Sequence, residues 1–181
     1  NHYDRLLTSA LALALRGLSL NTLTMPVLTN PGLSAVQRDF LVGKVKTFSA
    51  IARGEWRTTD EGMRPVYASL KTGQAWGILA DVWDPAFTRL RSHPCLGGRL
   101  HLPTGIERMA ESAGVPLLHA VTYSEGAARM RVEVETLPDN PQLAIDSVIQ
   151  RLERDVRSRP WAWWHWGQWE QMWTHSPTEV I

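Results

Sequence analysis

The chain has 181 residues, 44% of them hydrophobic and 20% charged, and a formal net charge of +1. That balance describes a globular chain with enough length for one well-buried core, not a disordered one. Its basic residues are dispersed, which argues against a nucleic-acid partner, and its single cysteine, Cys95, excludes an internal disulfide or a multi-cysteine zinc site. No apolar run reaches membrane-spanning length. The longest, Leu6 to Leu15, is stopped by Arg16-Gly17 and lacks the basic start and cleavage site of a signal peptide.

In chain order, Ala10 to Leu15 alternates Ala and Leu and reads as helix, with Gly17 as its stop. Asn21 to Leu28 is β-prone, with Pro26 marking a sheet edge or strand end. Asn30-Pro31-Gly32 reads as a turn, after which Ser34 caps a helix running towards Phe48. Arg53-Gly54 interrupts. Thr59 or Asp60 then caps a helix to about Lys71, ended by Gly73, with Pro65 blurring its start. Ala75 to Ala80 is a short apolar run, read as a buried parallel strand.

Asp81 to Gly98 carries two prolines and a Gly-Gly pair and reads as a long irregular segment, a kind that is often functional. A Pro103-Thr104-Gly105 entry opens a short helix, and Gly114-Val115-Pro116 leads into a buried strand over Leu117 to Tyr123. Ala127 to Glu135 alternates Met130, Val132 and Val134 with Arg129, Arg131 and Glu133. Pro141 starts a helix to about Arg157, striped by Leu143, Ile145, Val148, Ile149, Leu152 and Val156. With no repeats and no low-complexity linker, these elements predict a single α/β domain, Asn1 to Ile181.

His2 with Asp4 is the first chemical candidate. A histidine paired with a carboxylate can take a proton from a hydroxyl while the acid fixes the ring tautomer. Two residues apart, Asp4 can serve His2 only from an extended or turn conformation; otherwise it caps the following helix. Asp81 and Asp84 follow the Ala75–Ala80 run, where open α/β sheets tend to bind ligands, although capping and turn formation explain them equally well. Six tryptophans fall between Trp161 and Trp173. Helical spacing would put Trp166, Trp169 and Trp173 on one face, either packing over a sheet or resting on a bilayer interface. His165 and His175 lack partners at metal-ligand spacing, so no metal site is expected. Cys95 has no adjacent histidine–acid arrangement to activate it.

The segment RLHLPTGIERMAESAGVPLLHAVTYSEGAARMRVEVE from Arg99 resembles the back half of the lysophospholipid-acyltransferase-like superfamily, in particular the late acyltransferases of lipid A biosynthesis. The opening NHYDRLLTSALALALRG is similar to the family's histidine segment running into its Leu/Ala helix. Pro160 followed by Trp163 and Trp166 resembles its Trp-rich terminal helix. The resemblance implies a mixed, mostly parallel central sheet flanked by helices, with a Trp-rich C-terminal helix; the abrupt opening, with a histidine at the second position and no element before it, suggests a trimmed chain whose upstream portion carried a membrane anchor. It also implies transfer of an acyl group from an acyl carrier protein or coenzyme A thioester to a hydroxyl of a lipid, with no metal or redox cofactor, at the cytoplasmic face of the bacterial inner membrane.

The family's motif is a histidine with an acid five residues on. Here that place is Leu7, so His2 would be the general base with Asp4, or an acid from elsewhere in the chain, orienting it. Arg57 and Arg64 match an arginine-bearing loop and helix start near the substrate phosphates. Asp81 matches an Asp-containing loop, and Arg99 and Thr104 border the implied acyl site. Backbone N–H groups and a basic residue such as Arg57 would stabilise the oxyanion. Leu7 also supports a second reading, a non-catalytic homologue that binds lipid or acyl carrier protein as a partner subunit. A soluble α/β hydrolase is disfavoured by the lack of a Gly-x-Ser-x-Gly elbow.

Overall fold

The structure is a computed structural model that describes residues 1–26, 29 and 31–175. The secondary structure is mixed α/β, and contacts divide the chain into two compact units, Leu7–Ile78 and Asn1–Leu6 with Leu79–Ile181.

The Leu7–Ile78 unit is built on a three-stranded parallel sheet. Helix α1 (Leu6–Leu15) ends before Gly17, whose φ of 97° no other residue type adopts easily. Strand β1 (Leu20–Thr24) lies between β2 (Trp56–Thr58) and β3 (Ala75–Gly77), with both pairings parallel. Pro26 therefore marks a strand end, beyond the last paired residue of a central strand. Val27 and Leu28 of the expected strand, and Asn30 of the expected turn, lie outside the described residues. The Asn21 side chain ties the sheet together. It accepts the Glu55 backbone N–H at 2.8 Å and donates to Gln74 Oε1 at 3.0 Å.

Helix α2 (Ala35–Ala52) starts as its sequence predicts. Ser34 Oγ accepts the Gln37 N–H at 3.3 Å, and the Gln37 side chain accepts the Ser34 N–H at 2.9 Å, a complete capping box. Gly54 follows where the chain passes β1 so closely that a Cβ would sit 2.1 Å from the Leu20 carbonyl oxygen. The expected helix from Thr59 divides into a single 3₁₀ turn, Thr59–Glu61, and α3 (Arg64–Lys71). Gly62, at φ 86°, makes the break, and Pro65 sits in the first turn of α3, where its missing N–H costs nothing.

In the other unit, β4 (Leu90–Cys95) and β5 (Gly98–Pro103) form an antiparallel hairpin across residues expected to be irregular. Its two-residue turn, Leu96-Gly97, has positive φ at both positions (53° and 79°), the geometry that fits strand twist. Pro94 is tolerated because β4 is an edge strand in the order β4-β5-β8. Strand β8 (Trp173–His175) closes that sheet on β5. Gly98 permits this approach, since a Cβ there would lie 2.2 Å from the Trp173 ring. Helix α4 (Gly105–Ala113) precedes a second hairpin, β6 (Leu118–Gly126) with β7 (Arg129–Thr136).

Parallel pairing is thus confined to β2-β1-β3, while the other two sheets are small and antiparallel, unlike the mostly parallel central sheet expected. Two-residue connections allow only antiparallel neighbours, and both hairpins have them. The Trp-rich C-terminal helix expected from sequence is also corrected. Trp161 to Trp173 forms 3₁₀ turns, a single α turn α6 (Trp169–Met172) and the start of β8.

Helix α5 (Pro141–Ser158) is capped by Asn140, whose side chain accepts the Gln142 and Leu143 N–H groups. Its stripe is buried at Ile145, Val148, Ile149, Leu152 and Val156, while Leu143 is exposed. Five of these helix and hairpin side chains, Leu100, Leu102, Val121, Ile149 and Leu152, share one core cluster with Tyr3, Trp163 and Met172. Strand β7 alternates as expected, with an unexpected facing. Arg131, Glu133 and Glu135 pair across from Tyr123, Val121 and His119, and Arg151 of α5 bonds Glu133. Met130 and Val134, on the other face, are exposed.

Candidate active site

The amino end of the chain lies antiparallel to the Trp-rich segment. Asp4 N–H donates to the Ala162 carbonyl at 2.8 Å, Trp164 N–H donates to the His2 carbonyl at 3.0 Å, and Tyr3 pairs with Trp163. Tyr3 anchors this bridge: it is buried, and its hydroxyl donates to the Asp155 carbonyl at 3.1 Å. Burial, with the Asp155 charge nearby, pushes that hydroxyl up to about 12. Trp163 is buried beside it, with its ring edge-on to Trp166 and Trp169. Two hydrogen bonds and two buried aromatic rings therefore fix where His2 sits.

The acid on His2 is Asp81. Its Oδ1 lies 3.0 Å from His2 Nδ1, both its oxygens accept the His2 backbone N–H at 2.8 Å, and its Oδ2 accepts Trp163 Nε1–H at 3.0 Å. Asp81 has no exposed surface, whereas the His2 side chain is 22% exposed. Burial alone would raise the Asp81 carboxyl. The hydrogen bonds it accepts from His2 pull the other way and favour the ionised form. A buried acid with every lone pair engaged stays ionised and fixes whatever donates to it.

His165 completes the cluster. Its Nε2 lies 2.7 Å from His2 Nδ1, the rings meet edge-on, and its Nδ1 is 2.9 Å from Gln168 Oε1. An amide oxygen only accepts, so His165 Nδ1 carries the proton and Nε2 presents a lone pair. Burial lowers the His165 ring and favours its neutral form, partly opposed by Asp81. The His2 Nδ1 proton then faces two acceptors, Asp81 Oδ1 and His165 Nε2. His2 Nε2 is left as an acceptor, the tautomer a general base requires. The ligand-bearing atoms of His2, Asp81 and His165 all lie within 4.8 Å of one another, so these three are the residues that could hold a metal ion.

The other sequence candidates lie elsewhere. Asp4 adopts a left-handed backbone (φ 49°) and accepts the Ser124 N–H at 2.6 Å and its hydroxyl at 2.7 Å. It ties the bridge to the β6 end and makes no hydrogen bond with the His2 ring among the described residues. Arg99 donates to Ser92 Oγ across its hairpin at 2.5 Å, and Thr104 sits at the N-cap of α4, its N–H on the Arg89 carbonyl at 3.2 Å. Arg57 pairs with Glu55 at 2.8 Å and Glu61 at 3.6 Å, beside an open groove of about 550 Å³ shared with Lys46, Ser49 and Trp56. Arg64 starts α3 and has no ion pair among the described residues. Asp84 accepts the Ala86 N–H at 2.8 Å in a local turn.

His165 and Trp163 are the site residues that sequence reasoning missed. His165 is 163 positions from His2, so no spacing rule connects them. The one available signal was the bridge geometry itself, which needs the pairing of two segments without strand periodicity. No helix among the described residues is long and apolar enough to cross a membrane. No protein-family model matches the chain, and no curated protein matches it significantly.

Proposed function

We propose that this chain is an acyltransferase of the lysophospholipid-acyltransferase-like class, using His2 as its general base and Asp81 as the acid that orients it. The observation that carries the reading is the fully buried Asp81 carboxylate on His2 Nδ1, with the ring itself partly open to solvent. His2 Nε2 takes the proton of an acceptor hydroxyl as its oxygen attacks the carbonyl of an acyl carrier protein or coenzyme A thioester. The tetrahedral intermediate expels the thiolate, which recovers the proton from His2, so the ring ends as it began. Carrier-bound acyl donor and lipid hydroxyl are the partners in this reading, and no metal or redox cofactor takes part. Arg57 and Arg64 remain candidates for gripping a phosphate or phosphopantetheine through their guanidinium groups.

The reading of a non-catalytic partner subunit drew its support from Leu7 in the place of the family's acid. Asp81 supplies an acid from another part of the chain, which removes the reason for that choice.

A product assay tests the proposal. The chain is incubated with an acyl carrier protein or coenzyme A thioester and a bacterial lipid extract, and lipids are read by mass spectrometry. A gain of one acyl group is expected, falling by about 10²–10⁴-fold in His2→Ala while the melting temperature barely moves. No product from the wild-type chain sinks the proposal.

A membrane surface at the cytoplasmic face of the bacterial inner membrane is the proposed place of work. Trp161, Trp164 and Trp166 are exposed, in the segment that carries His165, and tryptophan favours the bilayer interface. In co-sedimentation with anionic lipid vesicles, the Trp161→Ala, Trp164→Ala double variant should bind less than the parent with an unchanged melting temperature. Equal binding would remove these rings from the interface.

A further inference from the structure

The geometry points to a second occupant of the same cluster: a zinc-class dication held by His2 Nδ1, an Asp81 oxygen and His165 Nε2, which silences the base while bound. The binding claim stands on geometry alone, and the silencing claim rests on the acyl-transfer reading above.

These three atoms are already gathered within 4.8 Å, and His2 Nδ1 lies 3.0 Å from Asp81 Oδ1 and 2.7 Å from His165 Nε2. Zinc bonds of about 2.0–2.2 Å in a tetrahedral shell set neighbouring ligand atoms about 3.3 Å apart. The two sides that meet at His2 Nδ1 must therefore open by about half an ångström, while the third already lies within 4.8 Å. Two nitrogens and one carboxylate oxygen suit zinc, whereas magnesium and calcium favour all-oxygen shells.

The surroundings support each ligand from behind. His165 Nδ1 is held by Gln168 Oε1 at 2.9 Å, which leaves Nε2 as the metal-facing lone pair. Asp81 Oδ2 is held by Trp163 Nε1 at 3.0 Å and by the His2 N–H at 2.8 Å. Hydrogen bonds to the far side of a ligand are what orient it and strengthen its affinity. Asp81 and His165 are buried and His2 is partly exposed.

In the metal-free protein one proton occupies the centre of this triangle, on His2 Nδ1. A dication takes that place. The ring keeps its single proton, now on Nε2, and the metal takes the Nδ1 lone pair. With Nε2 protonated, His2 has no lone pair left for an acceptor hydroxyl. Neither redox change nor a further reactant is involved.

The test uses the intact chain, freed of metal by dialysis against a chelator and titrated with Co²⁺ as a visible probe. Ligand-field absorption characteristic of a low-coordinate site is expected, at one Co²⁺ per chain and displaced by Zn²⁺. His165→Ala and Asp81→Asn should each weaken Co²⁺ at least about tenfold, while His101→Ala, at a half-buried histidine bonded to Thr174 instead, should not. If either cluster variant fails to fold, X-ray absorption of the zinc-loaded wild-type chain decides instead, and it must show imidazole scattering from two histidines. Absorption that survives His165→Ala, or a zinc shell without two imidazoles, overturns the site. Zinc at saturation should also cut product formation at least about tenfold, reversed by chelator; full activity with zinc bound overturns the silencing claim. Co²⁺ absorption that depends on these residues in a chain forming no product keeps the metal site and removes acyl transfer.

Discussion

In the pair His2–Asp81 the acid is fully buried and the ring 22% exposed, whereas in the pair His93–Asp146 the ring is 2% exposed and the acid 33%. The bonds themselves are alike, Nδ1 to carboxylate at 3.0 and 2.8 Å. What separates them is which partner is sealed. Around His93, Asp146 also pairs with Arg91, which reaches Glu107 at 3.1 Å, so the carboxylate belongs to a charge network that packs the ring into the β4 edge. Around His2, every lone pair of the acid is spent on fixing one accessible ring. A histidine–carboxylate contact alone therefore says little about chemistry, and the exposure of the ring decides.

The comparison breaks first on the acids. Asp81→Asn should lower product formation by about 10²–10⁴-fold, because the amide places an N–H against a donor and frees the tautomer. It should also cost about 3 kcal/mol of stability in urea unfolding, since Asp81 is fully buried and accepts from three N–H groups. Asp146→Asn should leave product formation within about twofold of wild type. Equal losses from the two would end the distinction drawn here.

The second break is on the rings. His93→Ala should cost about 2–3 kcal/mol by denaturant midpoint and leave product formation per folded molecule unchanged. The pH dependence sharpens this. Burial lowers both His93 and His119, against the opposing pull of their carboxylate partners. The unfolded chain then binds more protons below about pH 6.5. The contribution of these rings is present above that value and is lost as pH falls through their lowered folded values. Urea midpoints measured at descending pH should drop over that interval, and less steeply in His93→Ala.

The smallest expected change is at Trp163. Phe in its place keeps most of the buried ring but removes the N–H that Asp81 Oδ2 accepts at 3.0 Å. A loss of about 1–2 kcal/mol and a fall in product formation of less than about tenfold are expected. No change in either would show that the His2 donors alone hold Asp81.

Much of the local structure was legible because its causes are local. Ser34 and Gln37 announce the start of α2, Asn140 with Pro141 that of α5, and the α5 stripe names the face that is buried. The β4–β5 hairpin escaped because Pro94 argues against a strand until the sheet order shows β4 to be an edge. The tryptophans carry helical spacing, yet Trp163 must reach Asp81 and Trp173 must pair with Leu100, and tertiary contacts overrode the local pattern. His2 and Asp81 were each recognised as candidates. Their partnership was not, since a separation of 79 positions leaves no periodicity to read.

The bridge between the first residues and Ala162–Trp164 has a consequence for the life of the chain. His165 is made 163 positions after His2, so the His2 ring gains this partner only late in synthesis. At typical rates of synthesis that is a wait of roughly 10–30 s. Any chain interrupted before Trp163 carries His2 and Asp81 without the bridge and the Trp163 N–H that fix their place. Stalled or truncated products therefore lack the histidine pair, which forms only once the Trp-rich segment has been made.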